Sequence, residues 1–305
     1  MRDLLDGHLP YLPELPGRGP GADLVGRAAG LLVDLAVDLQ PSGWRLADRP
    51  GRDARRTAGL LREDLDELAE AFEGYGGPLK VQVAGPWTLA TAVSLPRGER
   101  ALADPGACRD LVASLAEGVR AHIAEVRRLV PEAQLVLQLD EPSLPAVLDG
   151  RLPTASGYGR LPAPDPQDAV AALATVLAAG PTDTVLHCCA AEPPLALLRD
   201  ARPGALSLDT TLLGPRGWEG VAVAVEDGIR LFAGAVPTDG SLARAQDVAD
   251  RVTDPWHRVG MPPAGLGDLV VTPSCGLAGR SPEEARRLQR LAVDAAAELD
   301  ERSTR

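Results

Sequence analysis

Lysine is almost absent from this 305-residue chain, since Lys80 is the only lysine among 31 basic residues. A Schiff-base aldolase needs a lysine amine, so that class is excluded unless Lys80 itself supplies it. Aromatic residues make up only 3% of the chain, and hydrophobic residues 45%, so the core must be built from alanine, valine and leucine. The length allows one large α/β barrel or two ordinary domains.

Excess positive charge and long apolar runs are also lacking. The formal net charge of −12 argues against nucleic acid and anionic membranes as partners, because both need basic patches. The longest apolar candidate, residues 31–39, is interrupted by Asp34 and Asp38 and is too short to span a bilayer. The first residues are polar and acidic, unlike a signal peptide. These features predict a cytoplasmic location, where thiols stay reduced and can bind a metal.

Strand-like and helix-like segments alternate along the chain, which predicts a parallel sheet in an α/β fold. Helices are predicted between the strands, among them one from Asp23 to about Leu39 and one that begins at the capping-box residue Ser281. We expect residues 1–305 to form a single (β/α)8 TIM-type barrel domain that lacks its first strand. Seven strands are predicted, the first of them weak: 42–46, 79–85, 134–140, 183–187, 205–209, 230–236 and 268–272.

Soft metal-binding side chains occur at the ends of two predicted strands. Because side chains in a strand alternate with period two, His187 and Cys189 point to one face and Cys188 to the other. His187, Cys189 and Cys275 would together supply the three protein ligands that a catalytic zinc site needs. Asp209 could be a fourth ligand or a hydrogen-bond partner of His187. Spacing alone leaves open the alternative of buried thiols and a satisfied histidine.

Acidic residues lie at further strand ends and in the N-terminal loop. Asp140 ends an apolar strand and could bind a substrate amine or act as a base, whereas capping of a helix is the alternative for it and for Glu141. Glu14 lies in a Pro-rich loop, where it could bind a substrate amine or be solvated. Asp239 follows a strand, and its structural alternative is a turn residue.

Four motifs together carry a resemblance to a known family. They are His187-Cys188-Cys189, Asp140-Glu141-Pro142, the segment 273–280 and the turn Gly85-Pro86-Trp87-Thr88. They resemble the C-terminal catalytic domain of the cobalamin-independent methionine synthase family, over nearly the whole chain. The HxC pattern with a distant CGLxxR is the most specific part. The resemblance implies a (β/α)8 barrel, zinc, and methyl transfer to the zinc-bound thiolate of homocysteine.

The resemblance also implies a role for individual residues. Asp140 matches the acid that holds the homocysteine amine, and Glu14 and Glu141 are grouped with it as substrate-binding. Asp239 falls where the family has a histidine that assists the folate leaving group, so it is the predicted catalytic residue. Four metal ligands are implied, with an aspartate in place of the family's glutamate at the last: His187, Cys189, Cys275 and Asp209.

Some features of the family have no counterpart in this sequence. No strand with a Gly-Ser-Phe-Pro-like turn precedes Leu9, which predicts that the start is truncated or miscalled by roughly one strand plus its connection, about 30 residues. A tryptophan of the folate site is replaced near Ala92, and the separate N-terminal domain of the family is missing. These differences leave the methyl donor open between a folate and a corrinoid carrier.

The first hypothesis is therefore a zinc-dependent methyltransferase that acts on a small-molecule thiol, homocysteine or a similar one. A methylcorrinoid:thiol methyltransferase is the nearest alternative. A decarboxylase like uroporphyrinogen decarboxylase shares the barrel, but it needs no zinc and needs a basic pocket. A non-catalytic zinc- or thiol-binding relative is the fourth possibility.

Overall fold

The computed structural model describes residues 9–239, 241 and 244–304. The chain divides into two compact units, Met1–Val185 and Leu186–Arg305. We call them unit 1 and unit 2. The boundary falls inside one strand, β5 (Asp183–Cys188), so the first half of that strand belongs to unit 1 and the second half to unit 2.

Unit 1 contains a β-hairpin and a pair of parallel strands, with helices between them. In the pair, Gln82 lies opposite Gln138 and Ala84 opposite Asp140. Gly85 caps, and Pro86 begins, the helix that follows the first strand of this pair. The described elements before β5 are α1 (Leu24–Leu31), β1 (Ala36–Gln40), β2 (Gly43–Ala47), α2 (Arg52–Ala71), β3 (Pro78–Ala84), α3 (Pro86–Ala92), α4 (Pro105–Leu129), β4 (Gln134–Asp140), α5 (Leu144–Leu148) and α6 (Pro166–Leu177).

The predicted helix from Asp23 to Leu39 is wrong in its second half. Asp23 caps α1 as expected, accepting a hydrogen bond from the Gly26 N–H at 2.9 Å, but the helix ends at Leu31. Asp34 then adopts a left-handed φ of 60°, which an α-helix cannot contain. The following residues form β1, which pairs antiparallel with β2. The predicted weak strand at 42–46 is thus a strand of this hairpin and not of the parallel sheet.

The N-terminal loop of unit 1 lies along the edge of β3. Lys80 donates its backbone N–H to the Pro10 carbonyl at 2.9 Å, and Leu12 donates its N–H to the Lys80 carbonyl at 3.0 Å. Tyr11 therefore forms a single parallel bridge with Lys80. This pairing fixes the loop that carries Glu14 against the parallel strands.

In unit 2, strands and helices alternate along the chain. β6 (Ala205–Asp209) and β7 (Arg230–Val236) pair in parallel, and so do β7 and β8 (Val270–Pro273). The predicted capping box at Ser281 is confirmed, since its side chain accepts from the Glu284 N–H at 3.2 Å. The described elements after β5 are α7 (Leu195–Asp200), β6 (Ala205–Asp209), α8 (Pro215–Glu226), β7 (Arg230–Val236), α9 (Ala245–Arg258), β8 (Val270–Pro273) and α10 (Pro282–Ser303).

The parallel strands follow one another in the sheet in the same order as in the chain, β3-β4-β5-β6-β7-β8. Six of the seven predicted strands are thereby confirmed as members of one sheet. Sequential strands with intervening helices are the arrangement of a (β/α) barrel. The closure by eight strands and the missing first strand stay predictions. Among the described residues, no helix has both the length and the apolar character needed to cross a membrane.

Candidate active site

In unit 2, strand ends bring together the side chains of His187, Cys189, Asp209 and Cys275, which we call the thiol–imidazole cluster. His187 lies near the end of β5 and Cys189 directly follows that strand. Cys188 is fully buried, whereas His187 and Cys189 are half-buried, so the predicted alternation of faces is confirmed. The cluster therefore presents one imidazole and one thiol of β5 away from the core.

Ser207 fixes the orientation of the His187 ring. The Nδ1 atom lies 3.0 Å from both the carbonyl oxygen and the Oγ of Ser207. Because a carbonyl oxygen can only accept, it holds a proton on Nδ1, which leaves Nε2 as the nitrogen that can bind a metal. A hydrogen bond of this kind is typical of a histidine that binds a metal through its other nitrogen.

Cys189 and Cys275 interact through their side chains. The Cys189 thiol donates a hydrogen bond to the sulfur of Cys275, and this bond, together with burial, raises the pKa of Cys189. The same bond, with smaller help from the Gly276 N–H, lowers the pKa of Cys275 to about 6. Cys275 is exposed, two residues after the end of β8, and is the more readily ionised thiol of the pair.

Asp209 is buried at the end of β6, with one carboxylate oxygen already engaged. Its Oδ1 accepts hydrogen bonds from the Thr211 N–H at 3.0 Å and from the Thr211 hydroxyl at 2.6 Å. These bonds hold the turn after the strand. The negative charge of Asp209 also acts on Cys275, whose pKa it raises. Its role as a fourth ligand stays a prediction.

The donors of this cluster fit zinc in their chemistry, since an imidazole nitrogen and two cysteine sulfurs form one of the sets found in catalytic zinc sites. Within the described ranges of the chain, no three histidine, cysteine, aspartate or glutamate side chains stand close enough to hold a metal ion as they are placed. Zinc binding would thus require the donors to move closer together. Cys275, exposed on a turn, is the donor with the most room to do so.

In unit 1, the side chains of Glu14, Arg27, Lys80, Gln82 and Asp140 form a second group, which we call the charged cluster. Lys80 and Gln82 are two residues apart on β3 and so share a face. Parallel register brings Asp140 to the same face of β4, two residues beyond the partner of Gln82. The half-buried N-terminal loop adds Glu14.

Opposite charges are closely balanced in the charged cluster. Burial raises the pKa of Glu14 to about 7, and the charge of Asp140 adds to this effect, while Arg27 and Lys80 oppose it. The Arg27 Nε lies 3.8 Å from the Glu14 Oε1, and Arg27 also pairs with Asp64 of α2. Burial lowers the pKa of Lys80, against the pull of both acids. A carboxyl near its midpoint at neutral pH can take up or release a proton when a charged ligand arrives.

Glu141 lies at the beginning of α3 in space and has no exposed surface. It accepts hydrogen bonds from the Trp87 N–H at 2.8 Å, and from the Thr88 N–H and hydroxyl at 2.7 Å each. A Cβ at Gly85 would stand 2.4 Å from the Glu141 Oε1, which explains the glycine there. Burial raises the pKa of Glu141 to about 7. This placement favours the capping alternative, and its predicted contact with substrate stays untested.

Asp239 is exposed in the segment that follows β7. Its Oδ1 accepts a hydrogen bond from the Ser241 N–H at 2.8 Å, and hydrogen bonds with Ser241 lower the pKa of Asp239. An ionised carboxylate accepts protons and does not donate them at neutral pH. The predicted assistance to a leaving group therefore has weak support in this geometry, and it stays a prediction.

Arg27, Gln82 and Ser207 have no role predicted from the sequence, and Lys80 is considered there only as a possible Schiff-base amine. Lys80 and Gln82 occupy alternate positions of an otherwise apolar strand, a pattern that marks one polar face. Ser207 interrupts the apolar strand β6 two residues before Asp209. Polar residues at every second position of a buried strand were the available signal.

The fold and the thiol–imidazole cluster define an α/β protein with soft metal donors at the carboxyl ends of its strands. The chain belongs to the family described as cobalamin-independent synthase, catalytic domain, whose model matches residues 11–298. The resemblance inferred from the motifs is thereby confirmed.

A solved structure is also similar to this chain. It is that of a B12-independent methionine synthase from Shewanella sp. W3-18-1 in complex with selenomethionine, with 14% identity and a TM-score of 0.56. The match covers 78% of this chain and 66% of that chain, so this chain spans a little under two thirds of that protein's length. At this identity the likeness supports the fold alone. No curated protein matches the sequence.

Proposed function

We propose that this chain catalyses zinc-dependent methyl transfer to the thiol of homocysteine, in the cytoplasm. The family match over residues 11–298 supports the reaction class. The observation that carries the proposal is the thiol pair of Cys189 and Cys275 beside a histidine whose Nδ1 is held by Ser207. Thiolate and imidazole donors of this kind suit a metal that serves sulfur chemistry.

His187 through Nε2, Cys189 and Cys275 would hold the zinc. When bound, zinc would supply Lewis acidity that deprotonates a thiol at neutral pH. Ser207 keeps the His187 ring in the orientation and tautomer that binding needs. Cys275 brings the more readily ionised thiol of the pair, because the hydrogen bond from Cys189 lowers its pKa.

The charged cluster of unit 1 suits an ammonium group. Glu14 and Asp140 would hold the ammonium group of homocysteine by charge-assisted hydrogen bonds. Both acids lie on a face that already carries compensating cations, Arg27 and Lys80. An acid-rich site of this kind does not suit the polycarboxylate substrate of a uroporphyrinogen-decarboxylase-like enzyme.

The proposed reaction forms one bond and breaks one. A lone pair of the homocysteine sulfur forms the new S–CH3 bond, while the bond between the methyl group and its donor breaks and leaves its electron pair on the donor. A folate is the plausible donor. The corrinoid alternative has no support, because the matching family is a cobalamin-independent one.

A methyl-transfer assay tests the proposal. Zinc-loaded protein with homocysteine and a methyltetrahydrofolate should form methionine, and His187→Ala should abolish this activity. Binding of homocysteine without turnover on this donor would favour the non-catalytic alternative. A His187→Ala variant that keeps both its zinc and its activity would contradict the assignment of the thiol–imidazole cluster as the zinc site.

A further inference from the structure

Two buried side-chain oxygens of the charged cluster, Glu14 Oε1 and Gln82 Oε1, accept no hydrogen bond from the described residues. Buried acceptors are almost always paired, since leaving one without a donor costs the desolvation of that group. Two such atoms in one cluster therefore point to a ligand that brings N–H or O–H donors.

The amide of Gln82 is fixed in direction by the N-terminal loop. Its Nε2 donates to the Leu12 carbonyl at 2.7 Å, so that Oε1 is the free end of the amide. Leu12 is itself bound to β3 through its N–H and the Lys80 carbonyl at 3.0 Å. A hydrogen bond from the same amide lowers the pKa of Glu14. Gln82 and Glu14 thus belong to one local arrangement.

Asp140 adds a third acceptor on the same face of the strand pair. One of its oxygens, Oδ1, accepts a hydrogen bond from the Gln138 amide at 2.7 Å, which orients the carboxylate. Gln138 lies directly opposite Gln82 in the parallel register. The face therefore offers two carboxylates and one amide oxygen.

The cations of the cluster leave room for a further donor. Arg27 approaches Glu14 Oε1 only to 3.8 Å, beyond hydrogen-bond range, and is paired with Asp64. The Lys80 ammonium stands 5.3 Å from the ring centroid of Tyr11. A primary ammonium group has three N–H donors and no acceptor, which matches three acceptors of this kind.

We propose that Gln82 is a recognition residue for the primary ammonium group of the substrate, and that its Oε1 accepts one N–H beside Glu14 and Asp140. This inference rests on the proposed function, because the substrate is taken to be an amino-acid thiol. Gln82 makes the site selective for the amine, since an analogue without it leaves buried acceptors unpaired.

Titration calorimetry with two thiols tests the role of Gln82. Zinc-loaded wild-type chain and Gln82→Leu are each titrated with homocysteine and with 4-mercaptobutanoic acid, which has the same thiol and carboxylate but no amine. Gln82→Leu should bind homocysteine roughly 10- to 100-fold more weakly. Its affinity for the des-amino thiol should change by less than about threefold. Gln134→Leu, the same change at an exposed position of β4, should alter neither affinity.

A double variant separates contact with the ammonium from placement of the loop. If Gln82 acted only by placing Glu14, then Gln82→Leu would cost nothing more in a Glu14→Gln background, and the proposal would be overturned. A further loss of about tenfold in that background supports direct contact.

The outcomes also separate this inference from the proposed function. Homocysteine binding that Gln82→Leu leaves unchanged refutes the role of Gln82 alone. A wild-type chain that binds both thiols equally refutes the amine site. A wild-type chain that binds neither thiol refutes the proposed function, and this inference with it.

Discussion

The thiol–imidazole cluster and the charged cluster solve different chemical problems. The first is made of soft donors at strand ends, and its key thiol, Cys275, is exposed. The second is made of hard oxygen and nitrogen groups along the face of two parallel strands and the loop beside them, with Glu14 largely buried. One cluster suits activation of sulfur and the other suits recognition of charge.

The way each cluster shifts its pKa values shows the same difference. A hydrogen bond from Cys189 lowers the pKa of Cys275, which favours an anion that can bind metal. Burial raises the pKa of Glu14, which keeps it able to exchange a proton at neutral pH. Substitutions in the two clusters should therefore have separable effects on zinc content and on amine recognition.

The largest effect is expected from loss of a metal donor. Cys275→Ala should lower methyl transfer by more than about 100-fold, beyond the loss typical of an outer hydrogen-bond partner. The steady-state rate of methionine formation measures this. Cys108→Ala is the matched control, because burial raises the pKa of Cys108 to about 11 and its thiol donates a hydrogen bond to the Ala101 carbonyl at 3.5 Å. Equal losses in both variants would contradict a specific role for Cys275.

Asp140→Asn should weaken homocysteine binding by roughly 10- to 100-fold, because a charge-assisted hydrogen bond to the ammonium becomes a neutral one. Its zinc content should equal that of the wild type, since Asp140 is not a member of the thiol–imidazole cluster. Calorimetry and metal analysis of one preparation measure both quantities. A loss of zinc together with affinity would break the division between the clusters.

Recognition of the amine should depend on pH through Glu14. The pKa of this carboxyl is about 7, so it is mostly neutral at pH 6 and mostly ionised at pH 8. The ionised form attracts an ammonium ion, and the affinity for methionine, which has no thiol to titrate, should rise about tenfold over this range. Glu14→Gln should remove most of this rise. A flat profile in the wild type would show that Glu14 does not face the amine.

Glu141 is a buried helix cap outside both clusters, and it can be compared with the exposed helix cap Ser281. Glu141→Ala leaves the buried N–H groups of Trp87 and Thr88 without their acceptor, and should lower the free energy of unfolding by about 2–4 kcal/mol. Ser281→Ala, at the exposed capping box of α10, should cost about 1 kcal/mol. Urea unfolding measures both. A smaller loss at Glu141 than at Ser281 would contradict its role as a buried cap.

The raised pKa of Glu141 gives this variant a second signature. The folded state keeps the proton up to a pKa of about 7, whereas the unfolded chain releases it near the ordinary value of 4.5. Folding therefore binds more protons between these values, and the free energy of unfolding falls as the pH rises through that window. Glu141→Ala should show a smaller fall than the wild type.

The sequence predicts the ends of strands better than it predicts the ends of helices or the hydrogen-bond partners of side chains. Period two distinguished Cys189 from the buried Cys188, because that alternation is local to one strand. The spacing of Leu31 and Leu35 also fits a helix, yet α1 ends at Leu31, three residues before the left-handed Asp34, and a hairpin follows.

Partners that are distant in sequence explain what the sequence could not predict. Glu141 reaches Thr88, 53 residues away, so its choice between capping and substrate binding depends on the packing of β4 against α3. Gln82 likewise reaches Leu12, 70 residues away. Such contacts follow from the register of parallel strands, which composition and periodicity do not determine.

The zinc content of the purified chain, measured by elemental analysis after loading with zinc and removal of the excess, tests the central claim most directly. A zinc site at the thiol–imidazole cluster predicts about one zinc per wild-type chain and almost none in Cys275→Ala. A wild-type chain without zinc, or equal zinc in the two proteins, would contradict it.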